Sequence, residues 1–249
     1  MLIEWTYAIG SVLLISLLAF IGLFTLSINK KTLNRMLIYL VSFAAGALIG
    51  DAFIHLLPEI VKTVGFTLSI SLWILFGIVS MFILEKFVHW HHCHYHIHKH
   101  SKIEPFVIMN LVGDGVHNFI DGLIIGASYL ISIPVGIATT IAVALHEIPQ
   151  EIGDFSILLH GGFSRGKALF FNFLSALAAV FGAIVALTAS LYLAGIEQIL
   201  VPIAVGHFIY IAAADLIPEL HKETNLKKSL MQLLWFVLGI AVMVVLVLY

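Results

Sequence analysis

Apolar stretches of membrane-spanning length follow one another along this chain, and that succession leaves few folds open to it. A bilayer core needs about 20 mostly apolar residues as helix. Eight runs meet that need, at roughly 4–28, 34–58, 66–89, 104–130, 134–159, 167–194, 198–219 and 229–248. The connections are short, so the whole chain, 1–249, reads as a single transmembrane domain of all-α class. Composition agrees: 10% of the 249 residues are charged, against about 25% in a soluble domain. The first run is too long for a signal-peptide core and lacks a basic segment before it, so it reads as a retained helix.

Composition also excludes function classes. The net charge of −2 offers no basic surface for nucleic acid. The single cysteine, Cys93, excludes an internal disulfide framework.

Lysine and arginine set the orientation. Lys30, Lys31, Arg35, Lys86, Lys99, Lys102, Arg165, Lys167, Lys222, Lys227 and Lys228 fall on one set of alternate loops; only Lys62 falls on the other. That bias puts the first set in the cytoplasm and both termini outside, and it supports an even helix count. A weak repeat accompanies it. Helix two ends HLLPE (His55 to Glu59) and helix seven ends DLIPE (Asp215 to Glu219), on spans running in opposite directions. A motif shared by antiparallel spans suggests an inverted repeat, three helices on each side of a central pair (3+2+3), as in many secondary transporters.

The central pair carries the polar residues, in GDGVHNFIDG (Gly113 to Gly122) and HEIPQEIGD (His146 to Asp154). Residues three, four and seven apart share a helix face. Asp114, His117 and Asp121 do so on helix four, with Asn118 beside them. On helix five His146 and Gln150 form one stripe, and Glu147, Glu151 and Asp154 form the next. Neither helix holds a Lys or Arg between these motifs to pair with five carboxylates. A carboxylate at bilayer depth costs about 2.5–3.5 kcal/mol on insertion scales, so a divalent cation, water or protonation must compensate. Imidazole with carboxylate suits zinc and its neighbours better than Mg²⁺ or Ca²⁺. Pro149 removes a backbone donor inside the second motif, which is expected to kink the helix there.

The two motifs resemble those of the ZIP family of metal transporters (Zrt- and Irt-like proteins), closest to the branch reading HNFxDG and HExPHExGD. The resemblance covers all eight helices. It implies a 3+2+3 arrangement, both termini outside, a metal-binding loop after helix three, and alternating access. It also implies a primary site of His117, Asp121, His146 and residue 150, and a second site of Asn118 and Glu147 with residue 150 bridging. Gln150 departs from the branch's histidine and is a weaker, neutral donor. The stretch 175–181 of helix six offers no carboxylate to the second site.

The candidate metal ligands are therefore His117, Asn118, Asp121, His146, Glu147, Gln150 and Glu151. Asp114 and Asp154 are candidates for a supporting role. Asp51 and His55 on helix two, and His207 and Asp215 on helix seven, are candidates for lining the path, and His160 for its cytoplasmic mouth. The loop 89–102 carries His89, His91, His92, Cys93, His94, His96, His98 and His100, a tract that can bind metal loosely.

The reading that follows is transport of Zn²⁺, or of Cd²⁺, Fe²⁺ or Mn²⁺, into the cytoplasm. The ion is a substrate and not a cofactor. The setting is a plasma (inner) membrane. The partners are divalent metal ions and lipid, with a second copy of the chain as a candidate homodimer partner. Two other readings stand beside it. A metal sensor would bind without flux. An intramembrane zinc hydrolase would use His146–Glu147 as the start of HExxH, but that motif needs a second histidine where Gln150 stands, so no enzyme is expected.

Overall fold

The computed structural model describes residues 2–26, 28, 30–94 and 105–248. Among the described residues the chain is helical, without a strand. Eight rods follow in order. α1 is Leu2–Thr25. α2 is Lys30–Gly50, a wider π turn at Asp51–Leu56, and Leu57–Val64. α3 is Leu68–His94, α4 Pro105–Ile131 and α5 Ile133–His160. α6 is Arg165–Tyr192, interrupted at Leu177. α7 is Glu197–Tyr210, a second π turn at Ile211–Leu216, and Ile217–Leu220. α8 is Leu226–Leu248.

Six of these rods contain a stretch long and apolar enough to cross a membrane. The other two, α4 and α5, are as long, at 27 and 28 residues, but the polar motifs interrupt their apolar surface. Exposed Leu13, Leu14, Leu72, Phe82, Leu234 and Val245 give the outer faces a character suited to lipid.

Local chemistry explains where the rods begin and end. Ser132 alone separates α4 from α5; its backbone is extended, its hydroxyl accepts from the Val135 N–H, and proline fills the first turn. Gly65 and Gly162 take positive φ after α2 and α5, which only glycine adopts readily. At the exposed α7–α8 turn, the hydrogen bond from Lys228 holds the Glu223 carboxyl below its usual range.

Several edges differ from expectation. α3 continues to His94, taking half of the His-rich tract into helix. The side chains of His89, His91, His92, Cys93 and His94 lie outside the described residues, as do all of His96, His98 and His100 and the side chain of His160. α5, as expected, runs through Pro149 as one span and reaches His160. One missing donor leaves the rest of the ladder intact, and α4 and α1 pack along this helix.

The two π turns share a cause. Each precedes a proline, Pro58 or Pro218, which cannot donate to the carbonyl four residues back. The wider turn re-registers the ladder, so Leu57 N–H bonds Ala52 O and Ile217 N–H bonds Ala212 O. Asp51–Leu56 and Ile211–Leu216 are 160 positions apart, the same offset that relates the two prolines.

Three helix pairs cross with glycine on both sides: α2 and α8 at Gly46 and Gly239, α3 and α7 at Gly77 and Gly206, α4 and α6 at Gly122 and Gly182. A Cβ at any of the six would lie 1.9–2.3 Å from a facing carbonyl oxygen. Small residues let backbones approach this closely in membranes, where van der Waals packing replaces the hydrophobic drive. Gly46 and Gly206 again differ by 160 positions. The crossings sort the rods into two groups. α2, α3, α7 and α8 pack together; α1, α4, α5 and α6 form the second group; the groups meet along α2–α5 and α4–α7. Within the second group Ser11 Oγ and Tyr129 Oη lie 2.8 Å apart, joining α1 to α4, and Ser16 Oγ donates to Ala176 O at 2.9 Å, joining α1 to α6.

Candidate metal centre

α4 and α5 lie side by side, and their polar stripes meet. His117, Asp121, His146 and Glu147 each offer one ligand atom, and these atoms all lie within 4.8 Å of one another. The distances from His146 Nε2 are 3.1 Å to Asp121 Oδ2, 3.6 Å to Glu147 Oε1 and 3.2 Å to His117 Nε2. Those from His117 Nε2 are 3.7 Å to Asp121 Oδ2 and 3.5 Å to Glu147 Oε1.

These separations have a chemical meaning. Donors about 2.0–2.2 Å from a tetrahedral zinc ion lie about 3.3–3.6 Å from one another. Five of the six edges of the cluster fall at 3.1–3.7 Å. His146 Nδ1 faces Ala142 O at 3.3 Å, which places its proton there and leaves the Nε2 lone pair for a cation. Asp121, His146 and Glu147 are all but fully buried. Among the described residues, both oxygens of Asp121 and of Glu147 lack a hydrogen-bond partner. Buried carboxylate oxygens without donors are costly unless a cation satisfies them.

The other expected ligands surround this cluster. Gln150 Nε2 donates to Asp114 Oδ1 at 3.4 Å. Asn118 Nδ2 donates to the same oxygen at 2.9 Å, while Asn118 Oδ1 has no partner among the described residues. Asp114 Oδ2 accepts from Ser175 Oγ. Glu151 turns away from the cluster and accepts from Asn172 on α6. Asp154 Oδ1 accepts from Asn110 Nδ2 at 2.8 Å. Asp114, Glu151 and Asp154 thus tie α4, α5 and α6 together beside the cage.

A cavity of about 760 Å³ opens on one side of the cage. It runs from His117 and His146 past Gln150 and Asp154 to Glu219 and Lys222, and the last two are well exposed. Glu85 on α3 and Asp215 on α7 also line it, and Tyr210 donates to Glu85 across the α3–α7 seam. His207 does not reach the cage; its Nε2 lies 3.0 Å from Ser80 Oγ on α3. Asp51 and His55 pair with each other at 3.2 Å in the π turn of α2.

Sequence reasoning passed over Asn110, Asn172, Ser175, Ser80 and Glu85. Asn172 left a signal, an amide inside the apolar run FFNFL. Helix six offers no carboxylate of its own to the second site; the residues that matter there, Asn172 and Ser175, are donors to carboxylates.

The profile of the family described as ZIP Zinc transporter matches residues 2–105 and 91–247. The zinc transporter SLC39A7 of Rattus norvegicus is 31% identical over 334 residues, covering 96% of this chain and 71% of that protein. Zinc transporter zipt-7.2 of Caenorhabditis elegans is 31% identical over 304 residues, with 98% and 66% covered. Zinc transporter ZIP13 of Pongo abelii is 35% identical over 223 residues, with 82% and 65% covered. These matches span the helices that build the cage as well as those that surround it, and the chain belongs to the ZIP zinc transporter family.

Proposed function

We propose that this protein carries Zn²⁺, or a related divalent transition-metal ion, across the membrane through the cage between α4 and α5. One observation carries the reading: four ligand atoms from His117, Asp121, His146 and Glu147 stand at the spacing of a tetrahedral ion's donors. Asn118, beside His117 in α4, and Gln150, which lines the cavity, stand next to it as further oxygen donors. The His-rich loop serves as a loose auxiliary binder.

The topology we propose has eight spans in a 3+2+3 inverted repeat, one transporter domain over 1–249, and both termini outside a plasma (inner) membrane. The shared 160-residue offset of two π turns, two prolines and two crossing glycines supports the repeat. The Lys and Arg bias supports the orientation. On that orientation the cavity faces the cytoplasm, and the structure is inward-open. Alternating access then follows from the two helix groups shifting along the α2–α5 and α4–α7 seams, with the cage carried on the α1, α4, α5, α6 group.

The hydrolase reading has no support in the geometry, because the position of its second histidine holds Gln150, bonded to Asp114. Uptake of Zn²⁺, Cd²⁺, Fe²⁺ and Mn²⁺ into vesicles of known orientation tests the proposal. Metal-dependent flux supports it. Tight binding without flux would make the protein a sensor.

A further inference from the structure

A second His–carboxylate arrangement, which the sequence suggests for the lining of the path, lies outside the cage. Asp51 and His55 sit in the π turn of α2, 0% and 3% exposed. π turns inside helices are frequent at functional sites. His55 Nδ1 is 3.2 Å from Asp51 Oδ1, and among the described residues neither ring nitrogen of His55 nor either oxygen of Asp51 has a hydrogen-bond partner. Buried polar atoms left without partners are costly unless a cation satisfies them.

Placement gives the pair a role. Thr139 of α5 sits beside Asp51. Thr139 and His146 are seven residues apart, so they share a face of α5 with about 10 Å between them along the axis. The cavity lies beyond His146 in the other direction, at Gln150 and Gly153. Asp51 and His55 are therefore on the far side of the cage from the cavity, at the α2–α5 seam where the two helix groups meet. α5 has no titratable residue between Ile133 and Leu145, and α8 none between Ser229 and Leu248, so nothing on those helices neutralises Asp51. His207 and Tyr210 on α7 are engaged with Ser80 and Glu85.

We infer that His55, with the Asp51 carboxylate beside it, is a transient metal-ligating station on the outer side of the cage, which receives the incoming divalent cation before His117 and His146 take it. The inference rests on the transport reading. One imidazole is a weak site, which suits a station that must pass its ion on. Its ligand chemistry is that of zinc and its borderline neighbours.

The test uses the full chain in proteoliposomes of known orientation, with Zn²⁺ supplied outside, and compares wild type, His55→Gln and Asp51→Asn. Zn²⁺ binding by each detergent-solubilised variant is measured in parallel. The expected result is a tenfold or greater rise in KM for His55→Gln, a smaller rise for Asp51→Asn, maximal rates within about threefold of wild type, and binding affinity within about twofold. An unchanged KM overturns the station. Loss of rate at every Zn²⁺ concentration with binding intact also overturns it, because it shows a structural latch on the α2–α5 seam. Absence of uptake by the wild type is a failure of the transport reading instead, and the parallel binding measurement distinguishes the two.

Discussion

His117 Nε2 and His146 Nε2 lie 3.2 Å apart, one from each helix of the central pair. Two imidazolium ions could not share that space, and two neutral imidazoles would leave a lone pair against a lone pair unless one carries a proton toward the other. A cation between them resolves the conflict and satisfies Asp121 and Glu147 at the same time. The pair thus stores a preference for a bound cation in the packing of α4 against α5.

The first prediction removes that preference one donor at a time. His117→Ala, Asp121→Ala and His146→Ala are each expected to lower metal uptake by more than tenfold while the protein stays folded and inserted. Glu147→Gln keeps size and one oxygen donor, and it is expected to weaken uptake less than the three alanine changes. Uptake by vesicles, normalised to folded protein by size-exclusion elution, is the measurement. Full uptake by His146→Ala sinks the cage.

The sequence announced most of this cage, and the part it hid is instructive. His117, Asp121 and His146 could be placed because helical spacing puts them on facing stripes. Helical spacing puts Glu147 on the stripe beside that of His146, because adjacent residues on a helix point about 100° apart, and the family resemblance implies a neighbouring site for it. Both side chains are long enough to converge on a point in the groove between those directions, which periodicity does not reveal. The rods were legible for a simpler reason: apolar length alone marks a span. The π turns were not, although HLLPE and DLIPE recorded their positions, because the shift answers a missing proline donor and not a residue pattern. The glycine crossings lay in spacings too common in apolar helices to single out, and only the contact itself distinguishes Gly206 from Gly10.

That contact supports a second prediction. Gly206→Ala would bring a Cβ within 2.2 Å of Ile74 O, backbone that cannot swing aside. α3 and α7 would have to part, and overpacking of this kind costs typically about 1–3 kcal/mol. The expected outcome is a fall of several degrees in Tm for detergent-solubilised protein. Gly10→Ala in α1 has nothing within 4 Å of the added carbon and is expected to leave Tm unchanged or slightly raised. Equal Tm values for the two variants would remove the close crossing from the account of the fold.

Protons compete with metal for the same lone pairs. A free histidine titrates near pH 6.5, and two of the four cage donors are imidazoles. Protonation fills the Nε2 lone pairs as pH falls, so affinity falls with it. Zn²⁺ binding measured from about pH 7.5 to 5.5 is expected to weaken steadily. A flat affinity across that range would show that imidazole does not hold the ion.

The last prediction concerns Gln150, where the branch this chain resembles has histidine. Gln150 lies one helical turn beyond His146 and lines the cavity together with the two cage histidines. Its amide nitrogen is occupied by Asp114 Oδ1 at 3.4 Å, which leaves only the amide oxygen to offer to an ion leaving the cage. Zinc favours nitrogen and sulfur donors, while harder ions accept oxygen. Gln150→His replaces a neutral oxygen donor by an imidazole on the cavity side of the cage, which strengthens the hold on zinc relative to Mn²⁺. A transporter must also let its ion go. The variant is expected to bind Zn²⁺ more tightly by about tenfold, or about 1.4 kcal/mol, to discriminate better against Mn²⁺, and to turn over more slowly if release limits the rate. Isothermal titration with both metals and vesicle uptake on the same preparation measure all three effects. Unchanged Zn²⁺ affinity would show that residue 150 does not reach the ion, and it would confine the site to His117, Asp121, His146 and Glu147.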